Sequence, residues 1–145
     1  MLYIAADKYG YRTILFVEKF LKRKKLDYRN LGVTSDKEDL ALQVFIPKIA
    51  KHIRRNKSNK AILSCGTGIG VDIGANRFSG IRSCLATNHQ IARWSRVYDD
   101  CNCLCLAGWN TTEEKITKIL SAWLSAKYDG NKARLQMFKA FDNWH

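Results

Sequence analysis

Short apolar runs alternate with longer amphipathic stretches along the whole chain, and this alternation narrows the possible folds most sharply. "LYIAA" (2–6) reads as a buried strand. Residues 11–25 read as a helix, with Ile14, Val17 and Leu21 at helical spacing and Phe16 and Phe20 beside them. "YRNLGV" (28–33) reads as a second strand, and 37–55 as a helix that Pro47 should kink or restart. "AILS" (61–64), "IRSCLA" (81–86) and "NCLCL" (102–106) complete the strands. Thr87 with Gln90, and Thr111 with Glu114, have capping-box spacing. The first pair opens a helix to about Val97, and the second one with Ile116, Ile119, Leu120, Trp123 and Leu124 on one face. A last amphipathic segment runs from about Lys132 to Phe141. The expectation is an α/β fold, a Rossmann-like three-layer sandwich with a five-stranded parallel sheet. With 145 residues and no linker, low-complexity tract or repeat, a single domain over 1–145 is expected.

No apolar run approaches the ~20 residues needed to span a bilayer. The opening "MLYIAADKYGYR" lacks a basic region followed by a long apolar run, so a cytoplasmic location is expected. Five cysteines, an odd number, argue against a disulfide framework. Cys101, Cys103 and Cys105 alternate on one predicted strand and read as small packing residues on one face, not as a zinc knuckle. The formal net charge of +12 raises the question of nucleic acid. The charge concentrates in "KRKK" (22–25) and "KHIRRNKSNK" (51–60), where helices end and cations complement the helix dipole. No stacking platform or recognition motif accompanies them, so neither a nucleic-acid nor a membrane partner is expected.

Ligands of parallel sheets bind beyond the carboxyl ends of the strands. That edge should hold Asp7, Cys65 and Thr87. Cys65 opens "CGTGIG" (65–70), which is neither a Walker A loop nor a dinucleotide fingerprint. Gly66, Gly68 and Gly70 between a strand and a helix can turn several amides inward, forming an anion site or an oxyanion hole. A thiolate at the rim of such a hole suits abstraction of a proton alpha to a carbonyl. A buried cysteine before a tight glycine turn fits the same residues.

"CGTGIGVDIGANRFSGIRSCLA" (65–86) resembles the signature of the ribose-5-phosphate isomerase B and galactose-6-phosphate isomerase family. "AADKYGYR" (5–12), "ARWSRVYDDCNCLCLAG" (92–108) and "KYDGNKARLQM" (127–137) are similar to the family's flanking segments, and only 33–57 fits poorly. The resemblance implies interconversion of aldose and ketose phosphates through a cis-enediolate, without metal or organic cofactor. It also implies a homodimer or homotetramer with active sites at subunit interfaces, to which the C-terminal helix (about 131–142) would contribute. By position, Cys65 becomes the base and Thr67 assists at the sugar oxygens. The amides of Gly66, Gly68, Ile69 and Gly70 hold the enediolate, and Asp7 binds sugar hydroxyls. The departures are specific. The family's ring-opening histidine falls on Tyr98, followed by Asp99, and none of His52, His89 and His145 takes its place. A tyrosine, with a reference pKa of about 10, is a poorer acid–base group near neutrality. Lys8 follows Asp7 where histidine is frequent, and it could meet a phosphate as a point charge. Trp109 stands near a commonly basic position; the two C-terminal arginines map to Lys132 and Gln136, with Arg134 between. The expected activity is therefore isomerisation of a sugar phosphate, ribose 5-phosphate first. The alternatives are a galactose-6-phosphate or other hexose-6-phosphate isomerase subunit, or a weakly active or non-catalytic sugar-phosphate-binding paralog.

Overall fold

Residues 1–144 are described by a computed structural model; His145 lies outside the described residues. Five strands, β1 (Leu2–Ala6), β2 (Tyr28–Asn30), β3 (Lys60–Cys65), β4 (Ser83–Leu85) and β5 (Cys103–Ala107), pair in parallel in the order β2-β1-β3-β5-β4. Six helices connect and follow them: α1 (Tyr11–Arg23), α2 (Leu42–Arg55), α3 (Ile69–Ala75), α4 (His89–Val97), α5 (Glu113–Ser125) and α6 (Lys132–Phe141). The three-layer α/β expectation holds.

The period-two geometry of a strand splits the core in two. Ile4, Ala6, Ile62, Leu104 and Leu106 face one way and meet α1, α4 and α5, whose fully buried Trp123 is the largest side chain in that layer. Tyr3, Ala5, Ala61, Leu63, Cys103 and Cys105 face the other way and meet α2 and α3. Strands buried on both faces read as nearly continuous apolar runs, which made them visible in the sequence.

The differences from expectation lie at element ends. β2 spans three residues, not six: the Leu31 and Val33 amides still bond to Ile4 O and Ala6 O of β1, but Asn30 Oδ1 takes the Gly32 amide at 2.9 Å and the segment becomes irregular. Helix α2 begins at Leu42, not 37, since Glu38 is tied back to the amide and hydroxyl of Thr34. It runs through Pro47 without restarting. Proline forfeits one bond there, and burial of Phe45, Ile46, Ile49, Ala50 and Ile53 outweighs that loss. Neither expected capping box forms. Asn88, not Thr87, accepts the Ile91 amide to cap α4, and Thr112, not Thr111, accepts the Lys115 amide to cap α5. Cys103 and Cys105 share one face, but buried Cys101 lies before the strand. The basic runs do sit at helix ends, with Lys22 and Arg23 in the last turn of α1 and Arg54 and Arg55 in that of α2. No helix is long and apolar enough to cross a membrane among the described residues.

From β1 the chain moves outward to β2, then returns across β1 to β3. The loops after β1 and β3 therefore leave neighbouring strands in opposite directions, opening a crevice at that point.

Candidate active site

Cys65 is the last residue of β3, opposite Ala107 of β5, and is 5% exposed. Its sulfur faces the first turn of α3: a methyl group built on Gly70 would stand 3.7 Å from Sγ. Gly68 adopts φ +76° and caps α3. That conformation favours glycine, and the site is crowded, since a methyl there would meet Leu106 and Ala107 backbone atoms at 2.9 Å. The loop thus lies flat across the end of β5. Thr67 Oγ1 accepts the Ile69 amide at 3.1 Å, and Gly68 O accepts the Asp72 amide. The amides of Gly68, Gly70 and Val71 meet no acceptor among the described residues. A buried thiol beside unpaired amides is an arrangement that can take a carbon-bound proton and stabilise the resulting oxyanion.

Asp7 follows β1 across the crevice and accepts the Gly10 amide at 2.9 Å. Burial pushes its carboxyl above the usual range, against the lowering effect of that bond. Glycine is required next to it because the backbones are nearly in contact: a methyl on Gly10 would come 2.5 Å from the carbonyl of Ser64. Lys8 bonds to Asp39 at 2.8 Å, and that carboxylate holds the ammonium pKa up. Lys8 is therefore already paired before any phosphate arrives. On the other side of the loop, the Gly108 amide bonds to Cys65 O and Gly66 O, and the Trp109 amide to Gly66 O at 2.9 Å.

The remaining expected residues are elsewhere. Helix α4 starts at the carboxyl edge and runs back about 13 Å, so Tyr98 and Asp99 emerge at the amino edge of β4 and β5. Arg82, just before β4, bonds to the Asp99 carbonyl at 3.2 Å. Burial raises the Asp99 carboxyl, and Arg134 partly opposes it. The Arg134 guanidinium lies 5.2 Å from the Tyr98 ring centre and 5.9 Å from that of Tyr128, and is paired with Asp129. Lys132 starts α6 beside this cluster, exposed. The expected site is thus split. Asp7, Lys8 and 65–70 share one edge, while Tyr98, Asp99, Lys132 and Arg134 share the other, about 15 Å away, the length of β5.

Three features carried too faint a signal in the sequence. Asp39, the partner of Lys8, sits in the irregular stretch before α2. Gly10 and Gly108 mark close backbone approach; a glycine shortly after a strand was their only trace. Tyr9 projects beside Trp109, their rings edge-to-face at 5.9 Å.

The fold and this edge define a class: a parallel α/β protein with one thiol at its topological switch point, facing free amides at a helix start. The sequence model of a family described as Ribose/Galactose Isomerase matches residues 2–138, and the chain belongs to that family. A probable ribose-5-phosphate isomerase B from Mycoplasma pneumoniae is 33% identical over 133 residues, covering 90% of this chain and 86% of the relative. The crystal structure of ribose-5-phosphate isomerase B from Mycoplasma genitalium with bound ribulose 5-phosphate superposes with a TM-score of 0.90 at 26% identity, covering 99% of this chain and 97% of the other. A ribose 5-phosphate isomerase of the same type from Thermotoga maritima gives 0.90 at 29% identity, over 97% and 96%.

Proposed function

We propose that this chain isomerises an aldose phosphate to its ketose, with ribose 5-phosphate to ribulose 5-phosphate as the first choice. The observation that carries the reading is the Cys65 thiol buried beside Gly70 in the first turn of α3, where the amides of Gly68, Gly70 and Val71 meet no acceptor among the described residues. The Cys65 thiolate removes the proton from C2 of the open-chain aldose. The electron pair moves into a C1–C2 double bond, and the C1 carbonyl oxygen becomes an enediolate oxygen. The free amides bind that charge, which exists only in the intermediate and flanking transition states, where stabilisation accelerates the step. Return of the proton from Cys65 to C1, as the O2 proton is lost and O1 is protonated so that C2=O replaces the C1–C2 double bond, gives the ketose. Asp7 accepts hydrogen bonds from sugar hydroxyls, and the Thr67 hydroxyl can still donate to a sugar oxygen while accepting from Ile69.

Ring opening requires an acid near the same sugar, and within one chain Tyr98 is at the wrong edge. The reading therefore includes a single-domain chain that pairs with a second copy, whose Tyr98, Asp99, Lys132 and Arg134 complete the site. The aromatic cluster Phe138, Phe141 and Trp144 supports this arrangement. Helix α6 buries no residue of its own, and Trp144 is 72% exposed. A second reading, a subunit that binds a sugar phosphate without turning it over, is favoured by one observation. Two cations expected to grip phosphate, Lys8 and Arg134, are held by Asp39 and Asp129.

The test is proton–deuterium exchange at C1 and C2 in heavy water, followed by NMR, with ribose 5-phosphate, allose 6-phosphate, galactose 6-phosphate and their ketoses. Exchange that disappears in Cys65→Ala supports the isomerase. Exchange that survives that change ends the assignment of the base, and binding without exchange leaves the second reading. Mixing inactive Cys65→Ser and Tyr98→Phe chains should restore about a quarter of the parent rate, since half of randomly paired dimers then carry one intact site.

A further inference from the structure

Tyr9 and Trp109 are large aromatic side chains left 53% and 55% exposed beside the buried thiol loop. Exposed aromatic pairs at a cleft call for an explanation that scattered surface apolars do not. We propose that the two rings form a wall against which the C–H face of the sugar's carbon chain stacks, making Trp109 a specificity-determining residue. The proposal rests on the isomerase reading.

The geometry is that of a corner. The rings meet at an interplanar angle of 77° with centroids 5.9 Å apart. A sugar has hydroxyl edges and apolar C–H patches, and the electron-rich face of an aromatic ring attracts polarised C–H groups. The two rings already touch each other and the loop before substrate arrives. The Trp109 amide is bonded to Gly66 O, and its indole lies so close over Gly66 that a methyl there would come 2.6 Å from the ring. Lys8 sits 5.2 Å from the Tyr9 ring centre while bonded to Asp39. Little ordering entropy is then lost on binding. The indole covers Gly66, the residue that follows Cys65, and in the proposed pose the sugar's carbon chain lies between the thiol and this ring. A sugar with contiguous C–H groups on the face toward Trp109 keeps this contact. An epimer that turns a hydroxyl toward it loses the contact and strands a polar group on an apolar ring. The favoured substrates are those sugar phosphates with an unbroken C–H face, and the wall's share of affinity does not depend on salt.

The experiment has two arms. In the first, KM and kcat are measured for Trp109→Ala and Trp109→Phe with the sugar phosphate that the parent turns over, at low and high ionic strength. Trp109→Ala should raise KM about five- to tenfold, more than it lowers kcat, by the same factor at both salt levels. Trp109→Phe should stay within about threefold of the parent. An unchanged KM in Trp109→Ala, or a loss of oligomeric mass in place of a KM change, overturns the proposal. In the second arm, saturation-transfer NMR is run on Cys65→Ser protein with ribose 5-phosphate, alone and combined with Trp109→Phe and Trp109→Ala. Irradiation of aromatic protons should saturate the sugar C–H protons, and the Trp109→Ala combination should lose most of that transfer. This arm needs no turnover: if the parent isomerises nothing, the isomerase reading falls while transfer through Trp109 still supports the wall. No transfer from a folded protein that binds the sugar overturns the wall alone.

Discussion

Gly68→Ala compared with Gly130→Ala separates two costs that a glycine can avoid. Both residues have left-handed backbones, with φ of +76° and +82°. A non-glycine residue in that region costs about 1 kcal/mol. Gly130 has nothing within 4 Å of the place a methyl would occupy, so its substitution should cost only that amount. At Gly68 the methyl would lie 2.5 Å from Leu85 Cδ1 and 2.9 Å from the Ala107 nitrogen and the Leu106 carbonyl carbon. The leucine methyl can rotate away. The β5 backbone cannot without giving up its ladder to β3, and such overpacking adds about 1–3 kcal/mol. Gly68→Ala should therefore cost about 2–4 kcal/mol in all. Urea unfolding at constant m reads both numbers directly, and the thermal midpoints should fall by about 5–12 °C and about 3 °C. Lifting the loop off β5 also displaces the amides beside Cys65, so Gly68→Ala should lose isomerase activity that Gly130→Ala keeps. Equal destabilisation by the two, or a Gly68→Ala effect below about 0.5 kcal/mol, would refute the claim that the end of β5 dictates this glycine.

Burial raises the Asp7 carboxyl, so its ionisation costs stability: the contribution is full at low pH and is lost as pH rises through the raised value. Asp7→Asn should melt higher than the parent at pH 7 and equal to it near pH 3, about a unit below the ordinary carboxylate value; a gap of the same size at both would show that burial is not the cause. Asp100 pairs with both Arg82 (2.8 Å) and the nearly buried Arg96 (3.0 Å), so Asp100→Asn, which also suits the positive φ there, should cost about 2 kcal/mol in urea unfolding. Cap assignment is tested by the same assay: Asn88→Ala should cost about 1 kcal/mol and Thr87→Ala almost nothing.

The strands were legible because both faces of the sheet are covered, so apolar runs such as 61–64 and 102–106 stand out without any knowledge of their neighbours. Element ends were not. Whether Thr87 or Asn88 caps α4 depends on which backbone turns extended, and both side chains can accept the bond. Pro47 gave a correct local warning that the packing of α2 overrode. The thiol loop was legible because a left-handed glycine and close backbone approach leave glycines in the sequence. Its separation from Tyr98 was not, because the motif order says nothing about which end of α4 a residue occupies. The pairing of Lys8 with Asp39 joins residues 31 apart and leaves no periodic trace.

The contact between Gly66 and the Trp109 ring also bears on how such a chain can change over generations. Gly66 has no positive φ, so its own backbone does not demand glycine. The indole does, since any side chain at 66 would run into it. The two positions are therefore not free to vary independently. Replacing Trp109 with a smaller residue is open at once, whereas adding a side chain at 66 requires the indole to swing aside or to have been replaced first. Substitutions at these two sites therefore have a favoured order, and a lineage that has acquired the tryptophan in this position is biased toward keeping its glycine.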